Sequence, residues 1–298
     1  MSAPGLETHA AADRSGEIRA ALWMTGAIAS FSLMAVAGRE LAGHLDTFEI
    51  MTYRSLIGLV VVLGLGAATG RLRDIRTRRL PAHLCRNLFH FAGQNLWFYA
   101  VGVIPLAQVF ALEFTTPIWV ALLAPFVLAE RLTRTRLIAA GLGFLGILLV
   151  ARPGLTPVGP GHLAAALAAV CFCGNVLATK SLSGTDRVWT ILFWMTLMQA
   201  AMGLACALVD GTMTLPDATS LPFVVAVGIC GLTAHLCVTS ALAAAPALIV
   251  APMDFLRLPL IALVGMALYD EPLEIAVFAG AGLILAGNLM NLRSGGRR

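Results

Sequence analysis

Four ionisable residues interrupt long apolar runs of this 298-residue chain: Arg54, Glu113, Asp254 and Arg257. On insertion scales such a residue costs about 2.5–3.5 kcal/mol at the centre of a bilayer, so each needs a partner or a water-filled cavity. Their formal charges cancel. Asp254 and Arg257 are three apart, which places them on one face of a helix. Arg54 and Glu113 fall at compatible depth, roughly a third of the way in from the same surface. Two structural ion pairs would satisfy the charges. The other use is to line a central pathway and bind or gate a polar substrate, and the residues around them favour it.

His90, Gln94 and Trp97 recur at i, i+4 and i+7, one helical face, with Asn95 and Tyr99 nearby. Asn175, Trp194, Gln199 and His235 continue the polar set in three other apolar runs. A lone amide in a membrane helix is commonly glue between helices. A set spread over four runs reads more simply as a cavity lining. The candidate substrate-binding residues are therefore Arg54, His90, Gln94, Trp97, Glu113, Asn175, Trp194, His235, Asp254 and Arg257. Trp97, Trp119 and Trp194 have the shape to stack on a planar substrate or simply to pack.

Enzyme signatures are missing. There is no G-x-x-x-x-G-K-[ST] loop for nucleotide phosphates and no H-E-x-x-H. The six cysteines form no C-x-x-C pair and read as small buried hydrophobes. No metal, no cofactor and no catalytic role is expected. The remote alternative is an intramembrane enzyme using Glu113, Asp254 and His235 for acid–base work.

The elements that must position these residues are membrane helices. Hydrophobic residues make up 59% of the chain, charged residues 12%, and mean hydropathy is +0.86. A soluble globule carries about 25% charged residues, so a soluble enzyme, a nucleic-acid reader and a disordered scaffold are excluded. Ten runs approach the length of about 20 residues needed to span hydrocarbon: 20–38, 48–69, 87–104, 106–128, 135–151, 161–179, 188–209, 220–242, 247–269 and 274–292. The expected fold is an all-α polytopic membrane protein. Residues 1–17 are polar and lack the layout of a signal peptide, so the first span reads as retained.

Loop charge sets the orientation. With a cytoplasmic N-terminus, the inside loops and tails hold Arg14, Arg19, the cluster Arg71 to Arg79, Arg86, Arg131, Arg134, Arg136, Lys180, Arg187, Arg293, Arg297 and Arg298. Only Arg39 and Arg152 lie outside. Both termini should face the cytoplasm, and the Arg71–Arg79 cluster reads as a topology anchor.

A shift of 141 residues aligns the two halves without a gap: 25 of 131 positions are identical between 21–151 and 162–292. Pro105 falls on Pro246, Phe114 on Phe255, Glu130 on Glu271, Gly146 on Gly287, and Glu113 on Asp254. Five spans per copy is an odd number, so the copies must be inverted, as in many secondary transporters that hold substrate between their halves. The expected units are a tail 1–17, repeats 18–154 and 155–292, and a tail 293–298. Prolines mark corresponding spans (Pro105, Pro117 and Pro125; Pro246, Pro252 and Pro259) and suggest hinges or broken helices. Glycines at 141, 146, 280, 282 and 287 suit close helix packing, or alternatively the face of a homodimer.

Pro105-Leu-Ala-Gln, Pro117, Leu128-Ala-Glu130-Arg131-Leu132, Gly141-x-Gly143-x-x-Gly146 and Ala151-Arg152-Pro153-Gly154 resemble the EamA-type drug/metabolite transporter superfamily. The second half echoes the pattern with Pro246, Glu271-Pro272-Leu273, Gly282 and Gly287, but Ile284 replaces the middle glycine. The resemblance implies a ten-helix inner-membrane carrier of small metabolites, commonly an exporter of amino acids or related compounds. Import of a vitamin- or nucleoside-like metabolite, of the riboflavin or S-adenosylmethionine kind, is the alternative it implies. Without a nucleotide site, transport would be secondary-active, with a proton as a candidate coupling ion for the buried carboxylates.

Overall fold

The computed structural model describes residues 4–128, 134–151, 158–183, 185–209, 211–244, 250 and 253–295. Among these, the chain forms α1 (Pro4–Leu41), α2 (Thr47–Ala68), a 3-10 turn (Arg71–Asp74), α3 (Leu80–Val103), α4 (Leu106–Glu113) and α5 (Thr116–Leu128). It continues with α6 (Arg134–Ala151), α7 (Pro160–Ser183), α8 (Val188–Ala207), α9 (Leu221–Ala244), α10 (Arg257–Tyr269) and α11 (Ile275–Gly295). The molecule is an all-α polytopic membrane protein. Five segments, in α1, α2, α7, α8 and α9, are individually long and apolar enough to cross a bilayer. α3 has the length but not the composition, because it buries Arg86, Asn87, His90, Gln94 and Asn95. That is the signature of a helix facing a polar interior rather than lipid.

Local chemistry sets the element ends. Gly43, at φ +88°, turns the chain out of α1, in a conformation glycine adopts without steric penalty. Asp46 and Glu49 then start α2 with a reciprocal capping box, each side chain bonded to the other's backbone N–H. Pro81 sits in the first turn of α3, where its missing N–H costs no helical bond.

The 141-residue repeat is also a packing symmetry. α1 packs along α9 and α3 along α7, and these two pairings exchange under the shift. α2 packs on its own copy α8, and α6 on its own copy α11. In the α2–α8 pair Gly58 faces Thr196 and Gly203 faces Thr52, so the partners run antiparallel. In the α6–α11 pair Gly146 lies against Gly280, and Gly287 against Ala139, again antiparallel. In both of these pairs a helix runs opposite to its own repeat partner, which is what an inverted repeat means.

The α6–α11 contact needs glycine. A Cβ on Gly146 would lie 2.6 Å from the Gly280 carbonyl oxygen, and one on Gly280 2.6 Å from the Gly146 oxygen. Gly287 meets the Ala139 carbonyl in the same way, whereas Gly141 and Gly282 meet nothing within 4 Å, so these five glycines divide into three that bring backbones together and two that do not. Of the repeat matches, Glu130 and Pro246 lie outside the described residues, as do Pro252 and the stretch Arg152-Pro153-Gly154.

Candidate functional site

The site is built where two helices break at equivalent points. α4 ends at Glu113 and α5 begins at Thr116. Pro117 has no N–H to bond the Glu113 carbonyl four residues back, and the Thr116 hydroxyl donates to that oxygen instead, at 2.8 Å. The Phe114 carbonyl, also freed, accepts the Asn288 side-chain amide at 3.0 Å. In the second half a short helical turn at Met253–Asp254 gives way to a bend, and α10 starts at Arg257 with Pro259 in its first turn. Phe114 and Phe255, partners in the repeat, face each other there with ring centroids 4.5 Å apart. The pseudo-twofold axis therefore passes between the two breaks, and Glu113 and Asp254 flank it.

Arg257 joins the carboxylates. Its Nη2 donates to Glu113 Oε1 at 3.0 Å and to Asp254 Oδ2 at 3.1 Å. Trp97 Nε1 donates to the other oxygen of Glu113 at 2.8 Å. The guanidinium lies against the rings of Phe31, Phe110 and Phe114, 4.6–5.0 Å from their centroids, a cage that holds a cation through ring quadrupoles. With both carboxylates ionised the triad carries a net charge of −1.

Above the triad opens a cavity of about 420 Å³ lined from both halves of the chain. Its apolar walls include Met24, Phe31, Phe114, Phe172, Val238 and Phe255; its polar wall carries His90, Gln94, Thr116, Asn175, His235 and Asn288 beside the triad. Five buried polar atoms of these cavity-lining side chains have no hydrogen-bond partner among the described residues: Gln94 Oε1, Asn175 Oδ1, Asp254 Oδ1, Arg257 Nε and Asn288 Oδ1. Native interiors satisfy nearly all such atoms, so the wall of this cavity carries an unusual number of unmet polar groups. His90 is oriented by Gln199 (2.7 Å from Nδ1) and lies 5.6 Å, ring to ring, from His235.

Seven of the ten residues expected from sequence line this cavity: His90, Gln94, Glu113, Asn175, His235, Asp254 and Arg257. The other three lie off its wall. Trp97 sits behind Glu113 and orients it. Trp194 packs beside His83 and Phe193. Arg54 lines a separate small void between α2, α8 and α9, and its counter-charge is not Glu113, which turns to Arg257 instead.

Sequence reasoning passed over Thr116, Asn288 and the phenylalanine walls. Asn288 falls opposite Ile147 in the repeat, so the alignment gave it no mark; an amide alone in an apolar run was the available signal. It also placed Arg86 in a cytoplasmic loop, whereas α3 buries it to 4% exposure.

The EamA-like transporter family matches the chain twice, over residues 18–152 and 159–293. A riboflavin transporter of Rhizobium johnstonii is 30% identical over 298 residues, covering 98% of this chain and 97% of the relative. One from Brucella anthropi is 31% identical over 248 residues, 82% and 87% of the two chains. An S-adenosylmethionine uptake transporter of Rickettsia prowazekii is 23% identical over 91% of this chain and 92% of its own. A solved crystal structure shares the fold with a TM-score of 0.63 at 21% identity, covering 91% of this chain and 95% of that one. Two matched repeats over nearly the whole length, folded as an inverted pair around one cavity, make the chain a member of the EamA-like transporter family.

Proposed function

We propose that the chain is a secondary-active carrier that takes up a neutral or cationic, planar heterocyclic metabolite of the riboflavin or S-adenosylmethionine kind. The single observation behind this is the cavity itself: aromatic walls, amides with unmet hydrogen bonds, and two carboxylates sharing one arginine, a triad of net charge −1 when both are ionised. Flat rings bury well against Phe172 and Phe255, and edge donors and acceptors match side-chain amides, whose two ends offer both roles. Amino-acid export, the first expectation from the resemblance, finds less here. An α-carboxylate needs a free cation, and Arg257 is already shared by two carboxylates. The relatives named for riboflavin and S-adenosylmethionine support the same side.

The carrier would work by alternating access, the repeats rocking about the axis between Phe114 and Phe255, with both termini cytoplasmic in an inner membrane and no nucleotide hydrolysis. Glu113 and Asp254 are the proposed coupling carboxylates if a proton is exchanged. Purified protein in sealed liposomes, offered labelled riboflavin, S-adenosylmethionine and a panel of amino acids without ATP, tests the reading. Saturable accumulation and counterflow of one of the first two is expected. Transport confined to amino acids, or an absolute need for ATP, would overturn it.

A further inference from the structure

Arg54 and Arg86 are buried cations that the transport cavity does not use. They are 6% and 4% exposed, and among the described residues neither makes an ion pair. An arginine stays charged in proteins, and an uncompensated charge inside a membrane protein is costly. The neutral contacts of Arg54 are thin. Its Nη1 lies 3.7 Å from Met51 Sδ, and its guanidinium passes close over Gly231, where a Cβ would come within 2.6 Å of Nε. Arg86 bonds the Thr179 hydroxyl at 2.7 Å and the Asn87 oxygen at 3.3 Å.

Arg54 borders a small void, and Arg86 lies behind one of its wall residues. Arg54, Ser55, Thr196, Met195 and Gln199 border a void of about 20 Å³, room for a single body the size of a water molecule or a chloride ion. Arg86 reaches the far side of that wall, 3.8 Å from Met195 Sδ. Asn87 links it to Gln199 through a bond of 3.2 Å. Water would fill the space but leave both charges standing. An anion would fill it, accept from the spare N–H groups of Arg54 and offset the second cation one layer out.

We propose that this void between α2, α8 and α9 is a binding site for a small monovalent inorganic anion of halide size, held by Arg54 with Arg86 behind it. The site is distinct from the transport cavity, and it stands whether or not the substrate assignment is right. Its occupant cannot be large: Gly58 and Gly228 line the same void, and Cβ atoms there would already press on Thr196 and Ile57.

The test uses purified full-length protein in detergent, stripped of halide by dialysis against gluconate. Thermal unfolding is followed as bromide replaces gluconate at constant ionic strength, and bromide-grown crystals are examined for anomalous scattering. A saturable, halide-specific rise in unfolding temperature is expected, lost in Arg54→Gln, together with a bromide peak beside the Arg54 guanidinium. Absence of a peak there overturns the proposal, as does a halide response that Arg54→Gln retains. If Arg54→Gln fails to fold, the anomalous map of the unsubstituted protein decides alone.

Discussion

Arg257 is the hinge of the charge balance, because one nitrogen serves both Glu113 and Asp254. Removing it leaves two half-buried carboxylates uncompensated. Arg257→Gln should therefore cost about 3–5 kcal/mol and show as lost expression and early unfolding in detergent. Asp254→Asn is different: the Glu113–Arg257 pair survives and is neutral. That variant should insert and unfold near the normal temperature yet transport at least about tenfold more slowly, since it removes a carboxylate charge from the cavity wall. Glu113→Gln keeps the Trp97 bond and should insert, with the pH dependence of transport abolished. An unchanged pH profile in that variant excludes Glu113 as the proton carrier. Much of this was visible in the sequence because charge is rare in apolar runs and Asp254 and Arg257 share a helical face. The sharing of Arg257 by Glu113 was not, since it depends on how two broken helices meet at the axis. Depth alone had suggested Arg54 as the partner of Glu113.

The elements were legible where composition changes abruptly and obscure where it does not. Polar punctuation bounded α2 and α8 within a few residues, and prolines pointed to interruptions of the fourth and ninth spans. The breaks themselves fall at the carboxylates, at Glu113–Thr116 and Asp254–Arg257, positions that proline marks only from the following turn. The glycine stripe gave no sign of its division, because nothing local separates Gly141 from Gly146. Packing does: only Gly146 meets a facing backbone. Gly146→Val should push α6 from α11 and destabilise by about 1–3 kcal/mol, measured as a fall in unfolding temperature. Gly141→Ala should stay within about 0.5 kcal/mol. Equal effects from the two substitutions would contradict the antiparallel α6–α11 contact.

At the scale of the whole molecule the gap-free repeat was the most informative signal, and the exchange of α1–α9 with α3–α7 gives it physical form. Burial of Arg86 was the main surprise, and it arises because α3 faces a polar interior on both sides of its midpoint. Orientation rests on loop charge. A cysteine at Arg76, in a background with the six native cysteines replaced, should react with an impermeant maleimide only from the cytoplasmic side. Labelling from outside would invert the topology. The central claim is that substrate passes through the cavity between the repeats, and filling that cavity probes it most directly. Asn175→Trp places an indole into the space from α7 while leaving the Arg257 triad intact. Counterflow of the substrate identified in liposomes should fall to background in this variant, with insertion and unfolding temperature preserved. Counterflow at the unsubstituted rate from a folded Asn175→Trp protein would contradict the account.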